Sequence, residues 1–255
     1  MKNRAFERWA PLALLVAILL LWQVLVTALQ VPEYLFPSPL EIGRQMVEFK
    51  APLLAASWST FWVTMVGFGL AIVVGVMLGF LIGSSRVAYA ALYPLMVGFN
   101  AVPKAAIVPI LVVWFGIGVG PGILTAFLIS FFPIMVNIAT GLATLEPELE
   151  DVLRVLGAKR WDVLVKVGLP RAMPYFYGSL KVAITLAFVG TVLAEMTAGD
   201  SGIGNLIQTA GSQQRMPLAF AGLVTISVMA MAMYELFSAI EKHTTAWAHR
   251  GSQAI

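Results

Sequence analysis

Six stretches of this chain run for 20 or more residues with no more than two charged side chains each, and they decide the solvent in which it folds. They are Ala10–Leu29, Trp58–Ile82, Ala88–Phe115, Val119–Ala143, Pro174–Ala198 and Pro217–Ile240. A helix rising ~1.5 Å per residue needs about 20 residues to cross the ~30 Å hydrocarbon layer of a bilayer. Inside that layer every backbone N–H and C=O must be bonded within the segment, so such stretches are helices. Composition agrees: 60% of the residues are hydrophobic, where soluble domains have about 45–50%. The expected fold is therefore an all-α integral membrane protein, one transmembrane domain over residues 1–255 with six transmembrane helices. Six spans of about 20 residues leave room for connectors but not for a second soluble domain.

The first span follows Lys2, Arg4 and Arg8, a basic start that would also suit a secretory leader, and Val26-Thr27-Ala28 resembles a cleavage site. A leader core is only ~7–15 residues long, so the longer run reads as an uncleaved anchor. Assigning the loops alternately to two sides puts eleven Lys and Arg on the side of both termini and three, Arg44, Lys50 and Arg215, on the other. The positive-inside rule then places both termini in the cytoplasm. This loop bias also accounts for the net charge of +3, and nothing points to nucleic acid. With no cysteine and only two histidines, both C-terminal, disulfides, thiolate chemistry and a histidine site within the spans are excluded.

Two local patterns carry structure. Ser38, Pro39 and Glu41 form a capping box that starts a short external helix. In the second span Gly67, Ala71, Gly75, Gly79 and Gly83 recur every four residues, a small-residue ridge along which another helix can pack closely, either within the subunit, the favoured reading, or between two copies.

Residues 144–173 form the largest internal cytoplasmic loop, with five acidic and five basic side chains. Pro147, Glu148, Glu150 and Asp151 suit the positive end of a helix, and Arg154, Lys159 and Arg160 its C-terminal side. Leu149, Val152, Leu153 and Leu156 share one face, and Gly157 ends the helix. A second helical stretch over about 160–167 is expected to stop at Leu169-Pro170. Periodicity alone leaves two readings open, a connector lying at the lipid interface and a docking surface for a soluble partner.

The spelling of the loop adds to this. Asp151-Val152-Leu153, Gly157-Ala158 and Leu169-Pro170 resemble the "EAA" loop of permease subunits of bacterial binding-protein-dependent ABC importers, with an acid but not the usual pair of alanines at the start. Leu35-Phe36-Pro37-Ser38-Pro39, Trp114-Phe115-Gly116-Ile117-Gly118, Phe131-Phe132-Pro133-Ile134, Ala194-Glu195-Met196 and Ser201-Gly202-Ile203-Gly204 extend the resemblance to the nitrate/sulfonate/taurine branch, over about 10–242. The resemblance implies a type I importer fold in the bacterial inner membrane, a second copy of the chain, two cytoplasmic ATP-binding subunits and an extracytoplasmic solute-binding protein. Glu150, Asp151, Gly157, Ala158, Leu169 and Pro170 become the candidate ATPase-coupling residues. The chain has no G-x-x-x-x-G-K-[ST] loop, so no cofactor is expected in it, and ATP with Mg belongs to the partner ATPase. No catalytic or metal-ligating residues are expected.

Polar groups at membrane depth usually face a bundle interior or a wet path, so Asn100, Lys104, Asn137 and Glu195 are the candidates for the translocation path. Lys104 follows Pro103, which frees a backbone carbonyl, and is either an attractor for an anionic or electron-rich solute, a snorkelling side chain, or a partner of an acid such as Glu195. Asn100 and Asn137 have interhelical hydrogen bonding as the alternative, Glu195 has an interface role with no solute contact, and Lys181 reads as a snorkelling structural residue. The expected solute is small, anionic or heterocyclic. Two rival readings are an ion-coupled secondary transporter and a membrane-embedded enzyme. The first would need inverted repeats or broken helices bearing acids, and only the third span, broken by Pro94, Pro103 and Pro109, fits. The second would need a nucleophile-base pair or a His-carboxylate cluster, and the spans hold neither.

Overall fold

The computed structural model describes residues 3–143, 152–153 and 155–245. In chain order its helices are α1 (Asn3–Ala28), α2 (Pro39–Glu48), α3 (Lys50–Gly83), α4 (Arg86–Ala101), a 3-10 turn (Lys104–Ile107), α5 (Val108–Phe115), α6 (Val119–Ala143), α7 (Arg160–Val163), a π turn (Leu164–Gly168), α8 (Leu169–Ala198), α9 (Gly202–Ser212) and α10 (Met216–Thr244). Five helical segments among the described residues are long and apolar enough to cross a membrane, and a pair bent by 70° between Ala101 and Lys104 passes the same test when taken together, as a broken span or a re-entrant loop. The fold is all-helical, as the apolar runs require.

The core is the interlock of α3, α6 and α8. A Cβ placed on Gly67 would lie 2.6 Å from the Ile123 carbonyl oxygen, one on Gly79 2.7 Å from that of Met135, and one on Gly83 2.8 Å from that of Ala139. The ridge therefore packs within the subunit, backbone against backbone on α6. On its other side α6 receives α8 equally closely, since a Cβ on Gly190 would sit 2.9 Å from Ala126 Cα. Phe68, Phe131, Ile134, Met135, Ile184 and Phe188 fill the space between.

Around this core α2 starts as expected, with the Glu41 N–H donating to Ser38 Oγ at 3.3 Å. The Glu41 carboxylate turns instead to Arg44 at 3.3 Å. α1 is peripheral. It is fixed at its C-terminal end by the Leu40 N–H donating to Gln23 Oε1 at 3.1 Å and by the Trp22 ring, tilted against Phe36 with centroids 5.1 Å apart. Lys181 on α8 forms an ion pair with Glu241 on α10, both side chains mostly buried, and its ammonium lies 5.9 Å from the Tyr234 ring centroid. Lys181 is thus anchored to a neighbouring helix; it does not snorkel, because an acid is within reach.

Two sequence expectations need correction. The third span was expected to break at Pro94, Pro103 and Pro109, yet it breaks only at Val102-Pro103, which take extended ψ values of 126° and 96°. Pro94 sits inside α4, and Pro109 occupies the first turn of α5, where a missing N–H costs nothing. The second loop helix was expected to stop at Leu169-Pro170. Instead, α7, the π turn and α8 form one helical segment, because Gly168 keeps helical angles (φ −62°, ψ −51°) and the wider π turn accommodates the hydrogen bond that Pro170 cannot donate.

Candidate functional site

The candidate coupling loop is built from its turn outward. Val152, Leu153 and Val155 are helical, and the Leu156 N–H donates to the Val152 carbonyl at 3.1 Å. Gly157 then takes φ +88°, and the Ala158 N–H donates back to the Leu153 carbonyl at 3.0 Å, the closing bond of a Schellman motif. Among the described residues no atom lies within 4 Å of where a Gly157 Cβ would stand, so glycine is needed here for its backbone angle. Asp162 accepts the Lys159 N–H at 3.3 Å and pairs with Lys166 at 3.0 Å, bracing the start of α7. Trp161 meets Phe80 edge-on with ring centroids 6.0 Å apart, seating the loop against the end of α3. Val152 (56% exposed), Val155 (88%) and Leu156 (77%) present an uncovered apolar face. Ala158 is half-buried, and Leu169 and Pro170 are exposed at the head of α8. Glu150 and Asp151 lie outside the described residues.

The four polar residues assigned to the path do not form one cluster. Lys104 and Asn100 belong together: Lys104 Nζ donates to the Asn100 carbonyl at 2.9 Å and to Asn100 Oδ1 at 2.7 Å. The chain leaves the helix at Val102, so the Asn100 carbonyl has lost the N–H that would have reached it, and the ammonium takes that role at the negative end of α4. An ammonium has three donors, and Asn100 takes two of them. Asn100 is exposed and Lys104 half-buried. Asn137 is half-buried in α6, where its Nδ2 donates to the Pro133 carbonyl at 2.8 Å.

Glu195 is 7% exposed near the C-terminal end of α8. Its carboxylate accepts the Thr60 hydroxyl, 2.9 Å from each oxygen, and the Gly204 N–H at 2.9 Å, while the Ile203 N–H donates to Thr60 Oγ1 at 2.8 Å. The first N–H groups of α9 are thus capped by side chains from α3 and α8. Ser201, at the N-cap position, makes no capping bond and meets Ser59 and Asp200 instead. Gly202 (φ +93°) and Gly204 have no room for a Cβ: at Gly202 it would fall on the Glu195 carboxyl group, and at Gly204 2.6 Å from Glu195 Cβ. Sequence reasoning missed α9 and the role of Thr60. The apolar spacing of Ile203, Leu206, Ile207 and Ala210 was the available signal for α9, and a lone threonine in a span carried none.

No group of three or more His, Cys, Asp or Glu among the described residues could hold a metal ion. An all-helical bundle with five or six candidate membrane spans defines the class, an integral membrane protein. The sequence matches the family described as "Binding-protein-dependent transport system inner membrane component" over residues 71–245, and the chain belongs to that family. It is similar to the riboflavin transport system permease protein RibX of Chloroflexus aurantiacus, 32% identical over 251 residues, 96% of this chain and 94% of that protein. It is also similar to the nitrate import permease protein NrtB of Leptolyngbya laminosa, 36% identical over 171 residues, 65% of this chain and 61% of that one. Among solved structures, the methionine ABC transporter MetNI in inward-facing form has a chain with the same fold, at TM-score 0.65 and 19% identity, covering 77% of this chain and 98% of that one. The chain is a permease subunit of a binding-protein-dependent ABC importer, a multi-pass inner membrane component with no catalytic activity of its own.

Proposed function

We propose that this permease works as a homodimer with both termini in the cytoplasm. Two ATPase subunits dock on residues 144–173, and a binding protein delivers a small anionic or heterocyclic solute to the other face. The observation that carries the reading is the loop itself. An apolar face formed by Val152, Val155 and Leu156 is left uncovered, on a turn set by Gly157, and the turn leads into a helix that runs unbroken from Arg160 to Ala198. A soluble motor needs such a seat and such a rigid lever. A second copy is supported by Lys104 and Asn100, which a single chain leaves at its surface. An ammonium facing lipid costs at least ~2.5–3.5 kcal/mol, and a facing copy with a wet path between the two relieves that cost.

Of the four path residues, the geometry favours Lys104 with Asn100 as the solute-facing pair, since Asn137 is turned to its own helix and Glu195 to α9. The solute class is supported by this cation and by the relatives, one named for nitrate and one for riboflavin. The test is purification of the chain expressed with its neighbouring ATPase and binding-protein genes. A stable complex whose ATP hydrolysis rises with solute-loaded binding protein is the expected result. A chain that purifies alone and transports without ATP would refute it.

A further inference from the structure

We propose that Glu195, with Thr60, is a positioning residue that fastens α9 to the lever formed by α7, the π turn and α8, so that movement received at the coupling loop is delivered to α9. The inference rests on the docking reading above. From Trp161 to Glu195 the lever is 34 residues, about 51 Å of helix, long enough to connect the two faces of a bilayer.

α9 is held to α8 by directional bonds, with the Asn205 Nδ2 donating to the Gly199 carbonyl at 2.7 Å beside those of Glu195. Ile203, Ile207 and Ala210 meet Leu218 and Ala219 of α10 through apolar surface, which has no preferred direction. The bonds from Gly204 to Glu195 and from Ile203 to Thr60 are directional, buried, and made by the first N–H groups of α9, where a carboxylate also meets the positive end of the helix. Gly202 and Gly204 bring the backbone of α9 onto the Glu195 side chain, closing the space that a solute would need. Thr64, bonded to Thr191 at 2.9 Å one turn deeper, repeats the α3–α8 link, so the clamp stands on a joined pair of helices. On its open side α9 presents Asn205, Thr209 and Gln213 to a cavity of about 490 Å³ shared with Phe49, Pro52 and Ala56. Displacing α9 reshapes that cavity.

The experiment uses the whole importer in vesicles. The chain has no cysteine, so single cysteines report without background. One at Thr209 is labelled by a membrane-impermeant maleimide, nucleotide-free and vanadate-trapped; one at Ala158 is cross-linked to the ATPase subunit. In the parent the labelling rate should change at least threefold between the two states. In Glu195→Ala that change should vanish and solute moved per ATP should fall at least fivefold, with hydrolysis and the Ala158 cross-link retained. Thr60→Val should lose coupling in the same sense and Thr60→Ser should restore it. Glu195→Gln, which still offers the Gly204 N–H an oxygen, should stay coupled. A coupled Glu195→Ala, or a Glu195→Gln that raises the KM for solute at unchanged solute per ATP, overturns the clamp. Should Glu195→Ala fail to assemble, a Thr60→Val that couples like the parent overturns it as well. A parent without the Ala158 cross-link overturns the docking reading, and the lever with it.

Discussion

Replacing Gly79 by alanine adds one methyl group, and the structure says where it would go. The new Cβ would stand 2.7 Å from the Met135 carbonyl oxygen and 2.8 Å from Ile138 Cβ. Carbon atoms in contact rest at about 3.5–4.0 Å, so α3 and α6 must part by roughly 0.7 Å or more. Neither neighbour can yield, since one is backbone and the other a β-branched carbon. A gap of that size forfeits about a quarter to a half of the dispersion energy along the seam, and overpacking of this kind costs about 1–3 kcal/mol. Gly69 is the internal control. It lies in the same helix with nothing within 4 Å of its Cβ position, so Gly69→Ala gains the same helix preference, up to about 1 kcal/mol, without the clash. Equilibrium unfolding in mixed lipid and dodecyl sulfate micelles, followed by tryptophan fluorescence, should place Gly79→Ala about 1–3 kcal/mol below Gly69→Ala. Equal stability of the two would refute close backbone packing of α3 on α6.

Three further outcomes follow from single sites. Gly157→Leu puts a branched side chain at φ +88°, at a cost of about 1–2 kcal/mol, so the protein should still insert while copurified ATPase and transport both fall; full retention of both would refute the turn's role. Lys181→Glu and Glu241→Lys should each destabilise the bundle, and the double exchange should recover at least half of the loss in the same unfolding assay; additive losses would show that the pair is not coupled. Lys104→Gln should reduce transport of an anionic solute more than it reduces assembly or basal ATP hydrolysis, and Lys104→Arg should be milder because the charge survives. Unchanged rate and saturation in the Gln variant would remove Lys104 from the path.

What was legible in the sequence was whatever depends on local chemistry or on the solvent. The six apolar runs announced helices because lipid leaves the backbone no other partner, and the four-residue recurrence from Gly67 to Gly83 announced a close-packed face before its partner, α6, was known. Ser38 and Gly157 marked a helix start and a helix end through their own backbone requirements. Long-range pairings were not legible. Lys181 read as a snorkelling side chain because Glu241 is 60 residues away, and Glu195 read as a path residue because Thr60 and Gly204 meet it only when α3, α8 and α9 are assembled. Pro170 misled for a different reason. Proline usually ends the preceding helix, but a π turn over Leu164–Gly168 carries the helix past it.

In the proposed arrangement residues 144–173 face the cytoplasm and seat an ATPase, while α9 lies on the opposite face. Single cysteines at Ala158 and at Ser212, probed by an impermeant maleimide in right-side-out and inverted vesicles, read out both faces. Ala158 should be labelled only in inverted vesicles, with protection when the ATPase subunit is bound, and Ser212 only in right-side-out vesicles. External labelling of Ala158, or cytoplasmic labelling that a bound ATPase leaves unprotected, would contradict it.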